Sequence, residues 1–188
     1  KGLIDAVQAR ESLSTAHRIM AEILIEDKDG AGAIVHYRRA LEFEGGDISP
    51  QDHIHLGRLY LRNNQAKDAE IHFIQGLDSS MSVENAFEDI SRIYRDTRRA
   101  DDYSAFYQTT SRSRVFSPKM HIIAARCLID LKQYDRARRI FMDLNRETPL
   151  AEAYYGLARI AEIEKDWDQM ELNVQRATVL EPSNMTYR

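Results

Sequence analysis

Small and apolar residues return along this chain at fixed intervals, and charged residues fill the positions between them. The stretch from Leu56 to Tyr60 shows the pattern. Leu56, Gly57 and Tyr60 fall at the spacing of one helical face, and Ala69 and Phe73 follow at the spacing of a second helix. Arg58 interrupts the apolar run. Only four prolines and eight glycines punctuate the whole chain, which predicts long helices joined by short turns.

The pattern His53-x2-Leu56-Gly57-x2-Tyr60 with Ala69-x3-Phe73 has a second clear copy, Tyr154-x2-Leu157-Ala158 with Ala177 and Pro182. Stepping back from that copy predicts units at 14–49, 50–83, 84–117, 118–150 and 151–184. Four columns then line up. After the Leu comes a small residue: Ala21, Gly57, Ser91, Ala125, Ala158. The Tyr column reads Leu24, Tyr60, Tyr94, Leu128, Ala161. The Ala column reads Ala33, Ala69, Tyr103, Ala137, Met170, and the Phe column reads Tyr37, Phe73, Tyr107, Phe141, Val174. Small residues are expected where the two helices of a unit approach closely.

These columns resemble the tetratricopeptide repeat, a helix–turn–helix unit of about 34 residues. The resemblance runs along nearly the whole chain and implies an all-α, right-handed α-solenoid of stacked helix–turn–helix repeats. The chain departs from the family pattern in places. Tyr103 stands at an Ala site, which predicts altered packing in that unit. The closing Pro is present only as Pro149 and Pro182, with Gly45, Met81 and Val115 elsewhere. Gly45-Gly46-Asp47 predicts a longer, looser turn. Ser49-Pro50 and Ser117-Pro118 place an N-cap Ser before Pro at the first helical position. Leu3, Ala6 and Val7 fit the end of an upstream repeat in 1–13, and 185–188 fits the start of another. The ends therefore read as a single array (1–188) cut from a longer one.

Composition narrows the function. Hydrophobic residues make up 43% and charged residues 30%, too apolar for disorder. No apolar run reaches 18 residues, so direct membrane insertion is not expected. Twenty-six basic against 30 acidic residues, a net charge of −4, argue against a nucleic-acid surface. Cys127 is the sole cysteine and lies in an apolar helix, so neither a disulfide nor a thiol nucleophile is expected. No phosphate-cradling glycine loop and no G-x-S-x-G elbow is present. His53 and His55 are two residues apart and point to different helix faces; His53 and His17 occupy the family's Trp site and read as packing. No catalytic residue, cofactor or metal site is expected, and the chain does not read as an enzyme. The run Gln108–Pro118 interleaves serines with Arg112 and Arg114 and reads as a helix end rather than a modification site.

The resemblance also implies a concave groove lined by first helices, where an extended peptide or partner helix binds. The groove-side column reads Glu22, Arg58, Arg92, Arg126, Arg159. Such guanidinium forks suit carboxylates and phosphates. Arg62, Lys119 and Tyr155 belong to the same expected face. Own-helix acids are expected to pair with three of these arginines: Glu88 or Asp96 with Arg92, Asp130 with Arg126, and Glu162 with Arg159. Arg58 instead has Arg62 at i+4, so bridges Glu22–Arg58 and Glu26–Arg62 are expected, or an acidic ligand in their place. The residues that clamp a C-terminal carboxylate in some tetratricopeptide domains are not matched by Arg18, Glu22, His55, Asn85 and Asp89. The expected function is a protein–protein interaction scaffold taking an acidic protein or peptide segment. A segment of a larger enzyme or secretion and assembly machine, and a homo-oligomeric scaffold, are the alternatives. Localisation is open, with cytoplasm favoured over periplasm.

Overall fold

The computed structural model describes residues 2–43 and 48–187, with side chains from residue 8 onward. The expected loose turn at Gly45-Gly46-Asp47 and the packing of Leu3, Ala6 and Val7 lie outside that range. Among the described residues there are ten α-helices and no strand: α1 (Gly2–Glu26), α2 (Gly30–Phe43), α3 (Pro50–Arg62), α4 (Ala66–Ser79), α5 (Val83–Asp96), α6 (Ala100–Ser113), α7 (Pro118–Asp130), α8 (Tyr134–Glu147), α9 (Ala151–Glu164) and α10 (Trp167–Leu180). A 3-10 turn, Met185–Tyr187, follows. None of the described helices is long and apolar enough to cross a membrane. The chain divides into two compact units, Lys1–Ala86 and Phe87–Arg188.

One backbone device closes every helix hairpin. Lys28, Asn64, Arg98, Lys132 and Lys165 all adopt left-handed φ, between 56° and 64°. The residue after each donates its N–H back five positions: Asp29 to Leu24, Gln65 to Tyr60, Arg99 to Tyr94, Gln133 to Leu128 and Asp166 to Ala161, over 2.8–3.1 Å. That same residue then accepts the first bond of the next helix, from Ala33, Ala69, Tyr103, Ala137 and Met170 over 2.9–3.1 Å. The accepting carbonyls belong to the Tyr column and the donating amides to the Ala column. A left-handed residue closing the last turn in this way satisfies carbonyls that a helix end leaves unpaired.

In the first unit, α1 packs on α2 and α3 on α4. Gly57 shows why its column is small. A Cβ there would stand 2.5 Å from the buried Phe73 ring, well inside contact distance. Ser49 caps α3 by accepting from the Asp52 N–H (3.2 Å), with Pro50 in the first turn. α1 runs unbroken for 25 residues, from Gly2 to Glu26.

In the second unit, Ser117 and Pro118 start α7 in the same way. The bulky Tyr103 at the Ala site is fully buried, and it is accommodated chemically. Its hydroxyl lies 2.9 Å from Ser91 Oγ, in the small column opposite, and Ser91 Oγ donates to the Phe87 carbonyl at 2.7 Å. Cys127 Sγ in turn donates to the Ser91 carbonyl at 3.2 Å. Burial holds the Tyr103 phenol firmly neutral. Gly156 meets the Phe141 ring of α8 where a Cβ would not fit, a close approach that the column alignment does not mark. Residues 185–187 form a single 3-10 turn. Tyr187 is buried against Ala151 and Ala177, and its carbonyl accepts from Thr178 Oγ1 at 2.8 Å.

Two stability predictions follow from these contacts. Lys132→Gly removes the steric cost of a left-handed side-chain residue and is expected to raise the unfolding free energy by about 1 kcal/mol, read as a higher urea midpoint at unchanged m-value. Ser91→Ala strips the buried Tyr103 hydroxyl of a partner and is expected to cost about 1–3 kcal/mol by the same measurement.

Candidate functional site

Because Ser49 and Pro50 fix where α3 begins, His55, Arg58 and Arg62 follow at i, i+3 and i+7 and share one face. Beneath them is a polar cluster. Tyr37 OH donates to Asp52 Oδ1 at 2.7 Å, Arg18 Nη1 donates to Tyr37 OH at 2.8 Å and to Asp52 Oδ1 at 3.2 Å, and Ser49 Oγ donates to Asp52 Oδ2 at 2.6 Å. Burial pushes the Asp52 carboxyl up, but these donors outweigh it and hold its pKa below the usual value. Burial and the neighbouring carboxylate keep the Tyr37 phenol protonated. His55 stacks on Tyr37, ring centroids 4.4 Å apart, and its Nδ1 accepts from Arg58 Nη2 at 3.0 Å. Burial, then the Arg58 charge, pushes the His55 imidazole down to about 4, so it is neutral at pH 7.

Arg58 is half-buried, and its Nε is fully buried without a hydrogen-bond partner. Burial and the like charge of Arg62 both lower its pKa. The expected bridges from Glu22 and Glu26 do not form: among the described residues no carboxylate lies within ion-pair distance of Arg58 or Arg62. The reason is local. Arg58 folds back along its own helix onto His55, and Asp52, the acid nearest in the helix, is held by Ser49, Tyr37 and Arg18.

The second unit carries the remaining arginines. Arg92, Arg126 and Arg159 border one cleft of about 100 Å³ with Arg95, so four guanidiniums there face two carboxylates, Glu88 and Asp130. Arg126 and Arg159 also reach a larger cleft of about 380 Å³ with Glu152, Tyr155 and Tyr187, where the Tyr155 and Tyr187 rings lie 5.1 Å apart. The pairing differs from expectation at each position. Arg92 pairs with Asp89 at 3.3 Å rather than with Glu88 or Asp96. Arg126 reaches Glu152 on α9 at 3.3 Å, because Asp130 is taken by Arg95 at 3.4 Å. Glu162 does not come within ion-pair distance of Arg159. Lys119 is exposed on the first turn of α7 and borders neither cleft.

Three solved structures share this arrangement of helix hairpins. YrrB, described as a TPR (tetratricopeptide-repeat) protein with an unusual peptide-binding site, is 15% identical with a TM-score of 0.52, covering 100% of this chain and 96% of its own. PilW, a type IV pilus biogenesis factor, is 16% identical with a TM-score of 0.52, covering 96% and 84%. MamA is 13% identical with a TM-score of 0.51, covering 87% and 95%. No protein-family model matches the chain.

The chain has the tetratricopeptide-repeat fold. Within that fold the sequence columns missed His55, Glu152 and Tyr187 as neighbours of the arginines. His55 was detectable in principle, since it stands three residues before Arg58 on one face. Glu152 and Tyr187 come from other elements and left no local signal. Within Gln108–Pro118, Thr110 is buried with Oγ1 donating to the Phe106 carbonyl and Phe116 lies edge-on to Phe87, while Arg112, Ser113 and Val115 are exposed.

The buried histidines set a pH dependence. Burial lowers the imidazole pKa of His53, His55, His72 and His121. A depressed folded-state pKa contributes stability above the unfolded value of about 6.5, and that stability is lost as pH falls through the folded values. Thermal unfolding is therefore expected to be flat just above pH 6.5 and to weaken between there and about pH 4. In His55→Gln the slope of Tm against pH across this window is expected to be shallower.

Proposed function

We propose that this chain is a non-catalytic protein–protein interaction scaffold that docks an acidic segment of a partner protein on the groove side of its first helices. The observation that carries the reading is the Arg58–Arg62 pair. Two like charges sit four residues apart on α3, a placement that costs a few tenths of a kcal/mol, with no carboxylate of the described residues at ion-pair distance. The buried, unpartnered Arg58 Nε and its lowered pKa mark the same deficit. An aspartate- or glutamate-rich segment supplies the missing charge through bidentate contacts.

The second unit carries basic residues of its own, Arg92, Arg126 and Arg159, with Tyr155 as a flat apolar contact and Lys119 at the start of α7. Surface ion pairs such as Arg92–Asp89 and Arg126–Glu152 contribute little stability, so an acidic partner competes with them readily. The peptide-binding site described for YrrB is consistent with this use of the fold. The non-catalytic reading rests on the state of the obvious nucleophile: the Cys127 thiol is buried and pushed up to about 12.

The test is Arg58→Glu/Arg62→Glu, with binding of Asp/Glu-rich peptides followed by fluorescence anisotropy at two salt concentrations. We expect at least tenfold weaker binding and a smaller salt dependence in the variant. Unchanged affinity with helical content intact overturns the groove-side docking.

A further inference from the structure

We propose that two histidine pairs in the first unit are each a binding site for one divalent transition-metal ion, with Cu²⁺ preferred. His17 on α1 meets His36 on α2, their Nδ1 atoms 2.9 Å apart. His53 on α3 meets His72 on α4, Nδ1 to Nδ1 3.1 Å. The second pair stands at the same offset in sequence from the first at both members, so the arrangement is duplicated in register. Each pair joins the two helices of one hairpin. Neither the peptide-docking reading nor the column pattern, which treats His17 and His53 as packing, uses these nitrogens.

The separation of the nitrogens, a hydrogen-bond distance without metal, also suits two ligands of one ion. Two ligands at a metal–nitrogen distance of about 2.0–2.1 Å lie about 2.9 Å apart when cis in a square-planar or octahedral shell, and about 3.4 Å apart in a tetrahedral one. The observed 2.9 and 3.1 Å lie nearer the cis value than the tetrahedral one. Imidazole ligation with tetragonal geometry favours Cu²⁺ and Ni²⁺ over Zn²⁺, and Cu²⁺ forms the strongest complexes of the divalent series. No cluster of three or more His, Cys, Asp or Glu suited to a metal occurs among the described residues, so water completes each shell. All four rings are half-buried, which leaves room for those waters.

The rings are held ready. His17 stacks on Phe43 with 13° between planes, and His72 stacks on Tyr60 with 9°. Without metal, one Nδ1–H donates to the other Nδ1. With metal, both rings carry their proton on Nε2 and both Nδ1 lone pairs face the ion, so from the neutral pair no net proton is released. Burial favours the neutral forms of His53 and His72, which are the ligating forms. Bound metal ties α1 to α2 and α3 to α4 and stabilises the folded unit by mass action.

The experiment is a Cu²⁺ titration of the intact, tag-free chain at neutral pH, read by calorimetry and by electron paramagnetic resonance. Two ions per chain are expected, each with nitrogen coupling from two imidazoles, and Zn²⁺ is expected to bind more weakly. His36→Gln should leave one ion, and His36→Gln/His72→Gln none, with helical content unchanged because Gln keeps a hydrogen-bonding side chain. If the native chain binds no Cu²⁺ at submillimolar concentration, the proposal fails. It fails equally if the double variant binds as many ions as the native chain, or if the bound ion shows no nitrogen coupling.

Discussion

In each hairpin, one residue after the left-handed turn position holds both helices at once. Its N–H closes onto a Tyr-column carbonyl and its carbonyl receives an Ala-column amide. These two bonds fix the rotation of the second helix relative to the first, so the small column and the Phe column must face one another. Close packing then follows: Gly57 accepts the Phe73 ring only in that register. The device works with Lys, Arg and Asn at the left-handed position, although a β-carbon is disfavoured there. The cost is tolerated because the alternative leaves carbonyls at the helix end unpaired.

The hairpins were legible in the sequence because their signal is local. Pro after Ser, small residues at fixed steps and apolar columns all act within one helix or between neighbours in the chain. The turn residues were not legible, since Lys28, Lys132 and Lys165 carry none of the glycine signature that marks a left-handed cap. The packing of the end segment was not legible for a different reason. Residues 185–187 pack back through Tyr187, a tertiary contact with Ala151 and Ala177 that helix periodicity does not encode.

Charge pairing was the least legible layer. Own-helix spacing offered Asp130 to Arg126 and Asp96 to Arg92, and both preferences were overruled. Exposed pairs of this kind differ by a few tenths of a kcal/mol, so small shifts in helix position decide among them. Asp130 lies nearer to Arg95, and Arg126 then turns to Glu152. Arg58 follows the same logic with a different result. The acid nearest in its helix is already engaged by three side-chain donors, so the guanidinium settles for a neutral imidazole. The positive charge left on α3 arises from that competition and could not be read from spacing alone.

Polar residues inside the helix pairs follow one rule that joins these layers. In three hairpins a polar residue at a column or Trp-site position is matched across the hairpin. Tyr103 replaces Ala in the second helix while Ser91 takes the small site in the first, and the two hydroxyls meet. His17 faces His36 and His53 faces His72 by the same correspondence. A slip of one residue between α5 and α6 would strand the buried Tyr103 and Ser91 hydroxyls apart and away from water, at a cost that an apolar pair would not suffer. An apolar column tolerates several registers with similar burial. The matched polar pairs make one register much better than its neighbours, and they do so in hairpins whose turns lack glycine to set the geometry cheaply. Backbone closure and side-chain matching therefore specify the same alignment independently. That redundancy lets α3 carry the Arg58–Arg62 repulsion on one face without losing its place against α4.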